Sequence, residues 1–406
     1  MAQGEFVEVG EQWREYHRPL TDEAAERMSH GKGLSPLAGP SNRRKDEPMP
    51  VIDADTHIDE TEDTWEFMQP GDEAYKPYTG YPSNPDPNRP PTRYWMIDGR
   101  RQTRFIRDDA KSRNTTEMRE LLDIPARLRR MDEMEVDIQV IYPTLFLVEG
   151  TDKPEVELAT RRSYNRWMAD RCAKSNGRLR WVCLPTTRTM DKALEELRFC
   201  KDHGACGVLK KGNQEADKWP SDPYFFPLYE EAQRLDMPIC FHAGSGVPDF
   251  SPVSEFMKSV FLRSDMAAPN AFESMIKFGV TKEFPTLRFG FIEAGASWVP
   301  FLMYFMRRRN SENLAGSLGR QHYDLGPNPM RQHRYYVTCQ VDEDLPYILQ
   351  FTGEDNLITG SDFTHADPAT EPEFLARLHD RARAGEISET VVRKMTEDNP
   401  RAFYGL

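Results

Sequence analysis

Residues 51–57 read V-I-D-A-D-T-H, an apolar start that runs into carboxylate and imidazole side chains. Side chains alternate faces along a strand, so a strand here projects Asp55 and His57 together. Seven further short apolar runs repeat this texture, at 137–143 (DIQVIYP), 180–185 (RWVCLP), 205–210 (ACGVLK), 237–243 (MPICFHA), 287–293 (LRFGFIE), 334–340 (RYYVTCQ) and 356–362 (NLITGSD). Helical patterns separate them, such as 155–177, which closes on Asn-Gly, and 189–204, which closes on a capping glycine. Eight strand and helix units in alternation predict an α/β protein, a (β/α)8 TIM barrel.

The chain has 406 residues, enough for a large barrel with additions. Its 53 basic and 66 acidic residues give a formal charge of −13, which argues against an electrostatic grip on nucleic acid or on an anionic membrane. No apolar run approaches membrane-spanning length. The opening MAQGEFVEVGEQWREYH lacks the basic start and apolar stretch of a signal peptide, so a cytoplasmic location is expected. Six cysteines form no C-x-x-C pair and read as reduced core residues. Residues 1–50 are charged, rich in Gly, Pro and Ser, and lack an apolar period. They are expected to form an N-terminal arm against a partner subunit, with the barrel over 51–406. The first two strand candidates are much farther apart than a minimal strand-helix-strand step requires. The Pro-, Tyr- and Arg-rich stretch 68–116 is the insertion, and it leaves the strand end where barrel active sites are built. A lid is expected there.

Barrel interiors are packed, and chemistry collects at the C-terminal rim. Four strand ends carry possible metal ligands: Asp55 and His57 on the first, His242 on the fifth, Glu293 on the sixth and Asp362 on the eighth. Singly, each has a plainer explanation, such as a core histidine, a helix N-terminal carboxylate or an N-cap. All of them falling on rim positions in barrel order predicts convergence on metal. Glu60, in H-I-D-E, offers a further carboxylate ligand. His365, three residues past Asp362, offers a second ligand, a proton shuttle or a supporting partner.

Taken with ARLRRMDEMEVDIQVIYPT (126–144), YFFPLYEEAQRLDMPICFHAG (224–244), FGFIEAGASWVP (289–300), GSDFTHADP (360–368) and DNPRAFYGL (398–406), these motifs make residues 51–406 resemble the amidohydrolase superfamily. Within it the resemblance is to the amidohydrolase-related branch of aminocarboxymuconate-semialdehyde and resorcylate decarboxylases. That resemblance implies two ligands from the first strand, usually H-x-H or E-x-H, a His from the fifth and an Asp from the eighth, commonly around one zinc. It also implies homo- or hetero-oligomers of barrel subunits. This chain departs in placing Asp55 at the first ligand position and Glu293 where many relatives have a sixth-strand His.

The carboxylates of Asp55, Glu293 and Asp362 beside two neutral imidazoles leave a site with one divalent ion net negative, which favours two cations of Fe or Mn type, with Zn possible. Such a set is similar to that of the dinuclear Fe/Fe or Mn/Fe oxygenases of this fold. The leading expectation is therefore O2-dependent hydroxylation of a small organic substrate. In it Asp55 and His57 hold one ion, Glu293 spans the pair and His365 relays protons. The alternative is a mononuclear Zn/Mn hydrolase or non-oxidative decarboxylase with Asp362 in acid–base work. A third reading is a non-catalytic barrel subunit of a heteromeric enzyme.

Lys210 and Lys211 end the fourth strand, where a structural or substrate-charge role is expected. In the lid, Arg101 and Arg104, from a run that includes Arg93, Arg100 and Arg107, are candidates to clamp a substrate carboxylate, with Trp95 as an apolar wall. A solvated loop is the competing reading of that run. His203 reads as a helix-end residue, and His322, His333 and His379 are expected to face solvent. No G-x-G-x-x-G, Walker A or G-x-S-x-G motif appears, which disfavours nucleotide cofactors and a serine nucleophile.

Overall fold

All eight predicted runs are strands in the computed structural model, which describes residues 49–80, 93–104, 113–244, 266–310, 323–366 and 368–406. In chain order the strands are β1 (Ile52–His57), β2 (Tyr78–Gly80), β3 (Arg93–Ile97), β4 (Arg100–Arg104), β5 (Ile138–Tyr142), β6 (Leu179–Cys183), β7 (Ala205–Lys211), β8 (Ile239–His242), β9 (Phe289–Ile292), β10 (Tyr335–Thr338) and β11 (Leu357–Ile358). Leaving out β2–β4, neighbours follow the chain without a crossover, β1-β5-β6-β7-β8-β9-β10-β11. Each pairing is parallel. The ends of the sheet meet where Ala54 N–H donates to Thr359 O at 3.2 Å and Asp362 N–H donates to Asp55 O at 3.0 Å. The architecture is a (β/α)8 barrel. Its fifth, sixth and eighth strands are β8, β9 and β11.

The main connecting helices are α1 (Ile124–Glu133), α2 (Pro154–Ala173), α3 (Met190–Asp202), α4 (Phe226–Arg234), α5 (Ala267–Lys277), α6 (Trp298–Arg309) and α7 (Leu345–Thr352). After β11 come α8 (Phe374–Arg383) and α9 (Asn399–Tyr404). Local chemistry sets their ends. Asp123 and Asp344 accept the N–H groups of Ala126 and Tyr347 at the starts of α1 and α7, each with proline in the first turn.

The outer strand face is aromatic: Phe289 and Phe291 pack on Tyr335, and Phe291 packs on Phe272 of α5. Toward the interior, Gly290 leaves room for the Phe403 ring, which a Cβ at that position would overlap. The next residue, Tyr404, donates its hydroxyl to Ala54 O at 2.6 Å and lies 2.7 Å from the Tyr142 hydroxyl. Helix α9 thus fills space inside the barrel wall, and burying each ring contributes roughly 1.5–3 kcal/mol.

The insertion carries β2–β4, a three-stranded antiparallel sheet that the sequence reading treated only as a lid. Gln102 of β4 donates to Glu149 O at 3.2 Å, fastening this sheet to the segment after β5. All six cysteines are buried free thiols. Nearly all of the expected arm, residues 1–48, lies outside the described residues. Among the described residues no helix is long and apolar enough to cross a membrane.

Candidate metal centre

Strand alternation and register bring four ligand-type side chains from three strand ends to one point. His57 Nε2 lies 3.4 Å from Asp55 Oδ1 and 3.4 Å from Glu293 Oε2. His242 Nε2 lies 3.5 Å from Asp55 Oδ1 and 3.1 Å from Glu293 Oε2. A second set shares two members: Asp362 Oδ1 is 3.5 Å from His57 Nε2, and His365 Nδ1 is 2.7 Å from Asp362 Oδ1 and 3.8 Å from Glu293 Oε1. Within each foursome, Asp55/His57/His242/Glu293 and His57/Glu293/Asp362/His365, all ligand atoms fall within 4.8 Å of one another.

Two backbone carbonyls fix the imidazole tautomers. His57 Nδ1 lies 3.0 Å from Pro143 O, and His242 Nδ1 lies 2.7 Å from Ala243 O. A carbonyl only accepts, so both Nδ1 atoms carry the proton and both Nε2 lone pairs face the carboxylates. Asp55 Oδ1, His57 Nε2, His242 Nε2 and Glu293 Oε2 are buried and make no hydrogen bond among the described residues. Buried acceptors facing one another cost several kcal/mol unless a cation or protons sit between them. Separations of 3.1–3.5 Å suit neighbouring ligands on one small divalent ion, whose bonds are about 2.0–2.2 Å. The donor set fits a divalent metal.

The electrostatics agree. Burial alone would raise the Asp55 and Glu293 carboxyls, but the imidazoles outweigh it: His242 and His57 lower Asp55, and His242, His365 and His57 hold Glu293 well below the usual carboxylate range. Against burial and the repulsion of His365, the Asp55 and Glu293 carboxylates push His57 up to about 9 in the metal-free protein. A proton there stands where the cation would be.

The backbone is strained at the two rim carboxylates: Glu293 and Asp362 have φ of 59° and 51°, a left-handed region costing roughly 1–2 kcal/mol for such residues. Thr338 Oγ1 accepts the Glu293 N–H at 2.7 Å and stabilises the first. Thr370 donates to Asp362 Oδ2 at 3.0 Å, leaving Oδ1 toward the centre. Tyr142, whose ring centroid is 4.9 Å from that of His242, packs beside the imidazoles.

Several expected residues sit elsewhere. Glu60 lies outside both foursomes; its oxygens accept the N–H groups of Thr144 at 3.1 Å and Leu145 at 2.9 Å, and burial pushes its carboxyl up to about 7. It braces the turn after β5. Trp95 is buried edge-on against Trp65, with ring centroids 5.6 Å apart, as a core residue of the insertion. Arg101, on β4, is exposed and lies over the Tyr94 ring, and the Arg104 side chain lies outside the described residues. Lys210 pairs with Glu215 and Lys211 with Glu149, a structural role. His203 lies 2.7 Å from Phe199 O at the end of α3. His379 pairs with Glu389, and His322 lies outside the described residues. His333, expected in solvent, is buried because Thr281 and Asp324 O engage its two nitrogens.

Sequence reasoning missed Thr144, whose signal was only its place after the second strand run, and Asp53, which strict alternation would put with Asp55 and His57 but which a register shift in β1 between Asp53 and Thr56 turns toward Ser361 and Gln139 instead. Thr144 donates to Ile58 O at 2.6 Å, so its oxygen receives the His365 Nε2 proton at 3.1 Å.

A family model described as Amidohydrolase matches residues 52–406. The γ-resorcylate decarboxylase of Rhodococcus jostii is 30% identical over 132 residues, covering 30% of this chain and 40% of that protein. The 2-amino-3-carboxymuconate-6-semialdehyde decarboxylase of Dictyostelium discoideum is 23% identical over 291 residues, covering 70% of this chain and 77% of that protein. Among solved structures, an amidohydrolase from Mycobacterium avium subsp. paratuberculosis superposes with a TM-score of 0.67 at 19% identity, covering 88% of this chain and 98% of that one. A dihydroxybenzoic acid decarboxylase from Polaromonas, solved with manganese and the inhibitor 2-nitroresorcinol, gives 0.59 at 16% identity, covering 88% and 97%. These two structures share the fold. With the match running from the first residue of β1 to Leu406, the chain belongs to the amidohydrolase family.

Proposed function

We propose that the chain is a metal-dependent, non-oxidative decarboxylase acting on a small carboxylic acid, the alternative rather than the leading expectation from sequence. One observation carries this reading: the 2.7 Å approach of His365 Nδ1 to Asp362 Oδ1. The His365 Nε2 proton is committed to Thr144, so Nδ1 and the carboxylate are two acceptors in contact, and a proton or a cation must lie between them. With one divalent ion in the Asp55/His57/His242/Glu293 foursome and one proton on the Asp362/His365 pair, the carboxylates of Asp55, Glu293 and Asp362 are balanced and the buried site is neutral. The curated relatives named above are decarboxylases, which supports this reading over an oxygenase.

When bound, the divalent ion supplies a Lewis acid that orients and polarises substrate oxygens. Asp362 and His365 store the proton that decarboxylation consumes: the C–COO⁻ bond breaks, its electron pair stays on the carbon, that carbon takes the proton, and CO2 leaves. The Thr144 oxygen keeps the His365 ring oriented. The test loads purified protein with Mn(II), Zn(II) or Fe(II), counts the ions bound per chain, and measures CO2 from a panel of ortho-hydroxybenzoates without oxygen and O2 uptake from the same panel in air. One ion per chain with CO2 release supports the proposal; O2 uptake with two ions per chain overturns it.

A second reading, the dinuclear Fe/Mn oxygenase, is favoured by the overlap of the two foursomes through His57 and Glu293: the first foursome would hold one ion, and Asp362 and His365 with the shared residues would hold a second. Both foursomes of potential ligands are present, which supports a catalytic chain over the non-catalytic subunit reading.

A further inference from the structure

Opposite the metal-facing side of the β1–β11 seam lies a buried polar chain that the chemistry above does not use. Asp53, fully buried, accepts the Ser361 N–H at Oδ1 (2.8 Å), and at Oδ2 the Ser361 hydroxyl (2.6 Å) and Gln139 Nε2 (3.3 Å). The Ser361 hydroxyl oxygen in turn accepts the Phe363 N–H at 3.1 Å. Both neighbours of the left-handed Asp362 are thus tied, directly or through one hydroxyl, to one carboxylate. From Gln139 the chain continues: its Oε1 accepts from Arg127 Nε at 2.9 Å, and Arg127, also fully buried, donates to His57 O at 3.0 Å and Thr56 Oγ1 at 3.3 Å. Asp362 N–H donates to Asp55 O, and His57 N–H donates to Phe363 O. The backbones that carry Asp55, His57 and Asp362 are therefore stitched into one frame around Asp53.

We propose that Asp53 is the positioning residue of the metal centre, setting through Ser361 on one side and Gln139–Arg127 on the other the spacing between the first-strand ligands and Asp362. A positive φ at Asp362 persists only where its surroundings over-determine it, and the bidentate grip on Ser361 supplies that constraint. Asp53 and Arg127, both fully buried and bridged by the Gln139 amide rather than in contact, cost more to keep inside than an apolar filling of the same space. Geometry at the rim is what that arrangement gives in return. The inference rests on the metal-site reading of the preceding section.

The test uses the full chain, metal-free and then titrated with Mn(II) against a competing chelator, with the electron paramagnetic resonance line shape of the bound Mn(II) recorded for each variant. Asp53→Asn and Ser361→Ala are each expected to weaken Mn(II) binding about ten-fold or more and to alter the line shape. The double variant should lose no more than the stronger single change, because both remove one shared contact. Ile348→Ala, in helix α7, lowers the melting temperature through packing alone and should leave affinity and line shape unchanged. Unchanged Mn(II) binding and line shape in Asp53→Asn and Ser361→Ala, additive losses in the double variant, or an equal loss in Ile348→Ala would overturn the proposal. Should Asp53→Asn fail to fold, Ser361→Ala against Ile348→Ala decides alone. If the unaltered chain binds neither Mn(II) nor Zn(II), the metal-site reading falls and takes this inference with it; if it binds and the variants match it, only the inference falls.

Discussion

Asp362 Oδ1 lies 2.7 Å from His365 Nδ1, and the His365 ring stacks on that of His57 with centroids 3.8 Å apart. The proposed acid–base pair and the proposed metal ligand are therefore held as one packed unit. Asp362→Asn keeps the shape but removes the anion. CO2 release is expected to fall by about 10²–10⁴-fold, with far-UV circular dichroism unchanged; an Asn variant retaining full turnover would remove Asp362 from proton transfer.

Thr144 decides which His365 nitrogen carries the proton. In Thr144→Val the Nε2 proton loses its acceptor and the Ile58 carbonyl loses its donor, at a cost in stability of about 1–3 kcal/mol. The pH–rate profile should shift along with a drop in kcat, because the tautomer is no longer enforced. A profile superimposable on that of the unaltered enzyme, at lower stability, would reduce Thr144 to packing.

Metal binding must displace the proton on His57. Its folded value of about 9 exceeds the ordinary 6.5, so this ionisation stabilises the metal-free protein fully below pH 6.5, and the benefit is lost as pH rises through 9. The melting temperature contributed by this group should fall over that window. Titration calorimetry of Mn(II) at pH 7.5 in buffers of different ionisation enthalpy should show release of about one proton or more per ion, declining toward pH 10. No proton release at pH 7.5 would contradict the arrangement.

Gly360 is packed against the first strand so closely that a Cβ would fall 2.5 Å from Asp55 Cβ and 2.6 Å from its backbone nitrogen. Gly360→Ala has no side-chain motion available to relieve this and must separate β11 from β1. Overpacking of this kind costs about 1–3 kcal/mol, and here it would also displace Asp55, a proposed ligand. Thermal melting and metal content should fall together; a stable, fully loaded Ala variant would refute the close approach.

The barrel and its rim were legible in sequence because both depend on local alternation. A run such as 287–293 declares a strand buried on both faces, and its last polar residue, Glu293, must emerge at the rim. The same rule put Asp55 and His57 together. What sequence could not give were contacts made through distant backbone: Pro143 O against His57, Thr144 against His365, and Glu60 drawn to the N–H groups of residues 144 and 145 instead of the metal. Local pattern likewise made His333 look solvated, since nothing nearby in sequence announces Thr281. The strands β2–β4 were hidden because a small sheet in a Pro- and Arg-rich insertion has little apolar alternation of its own.

The β1–β11 seam joins residues about three hundred positions apart, and the side chains flanking it, Asp55, His57 and Asp362, gather at the centre. An ion held there would act as a clasp on a very long loop, whose closure entropy grows only logarithmically with length. Under the proposed function, cation capture and annular closure would be linked equilibria, so starving the cell of divalent metal would lower not only turnover but the fraction of chains that stay shut against proteases.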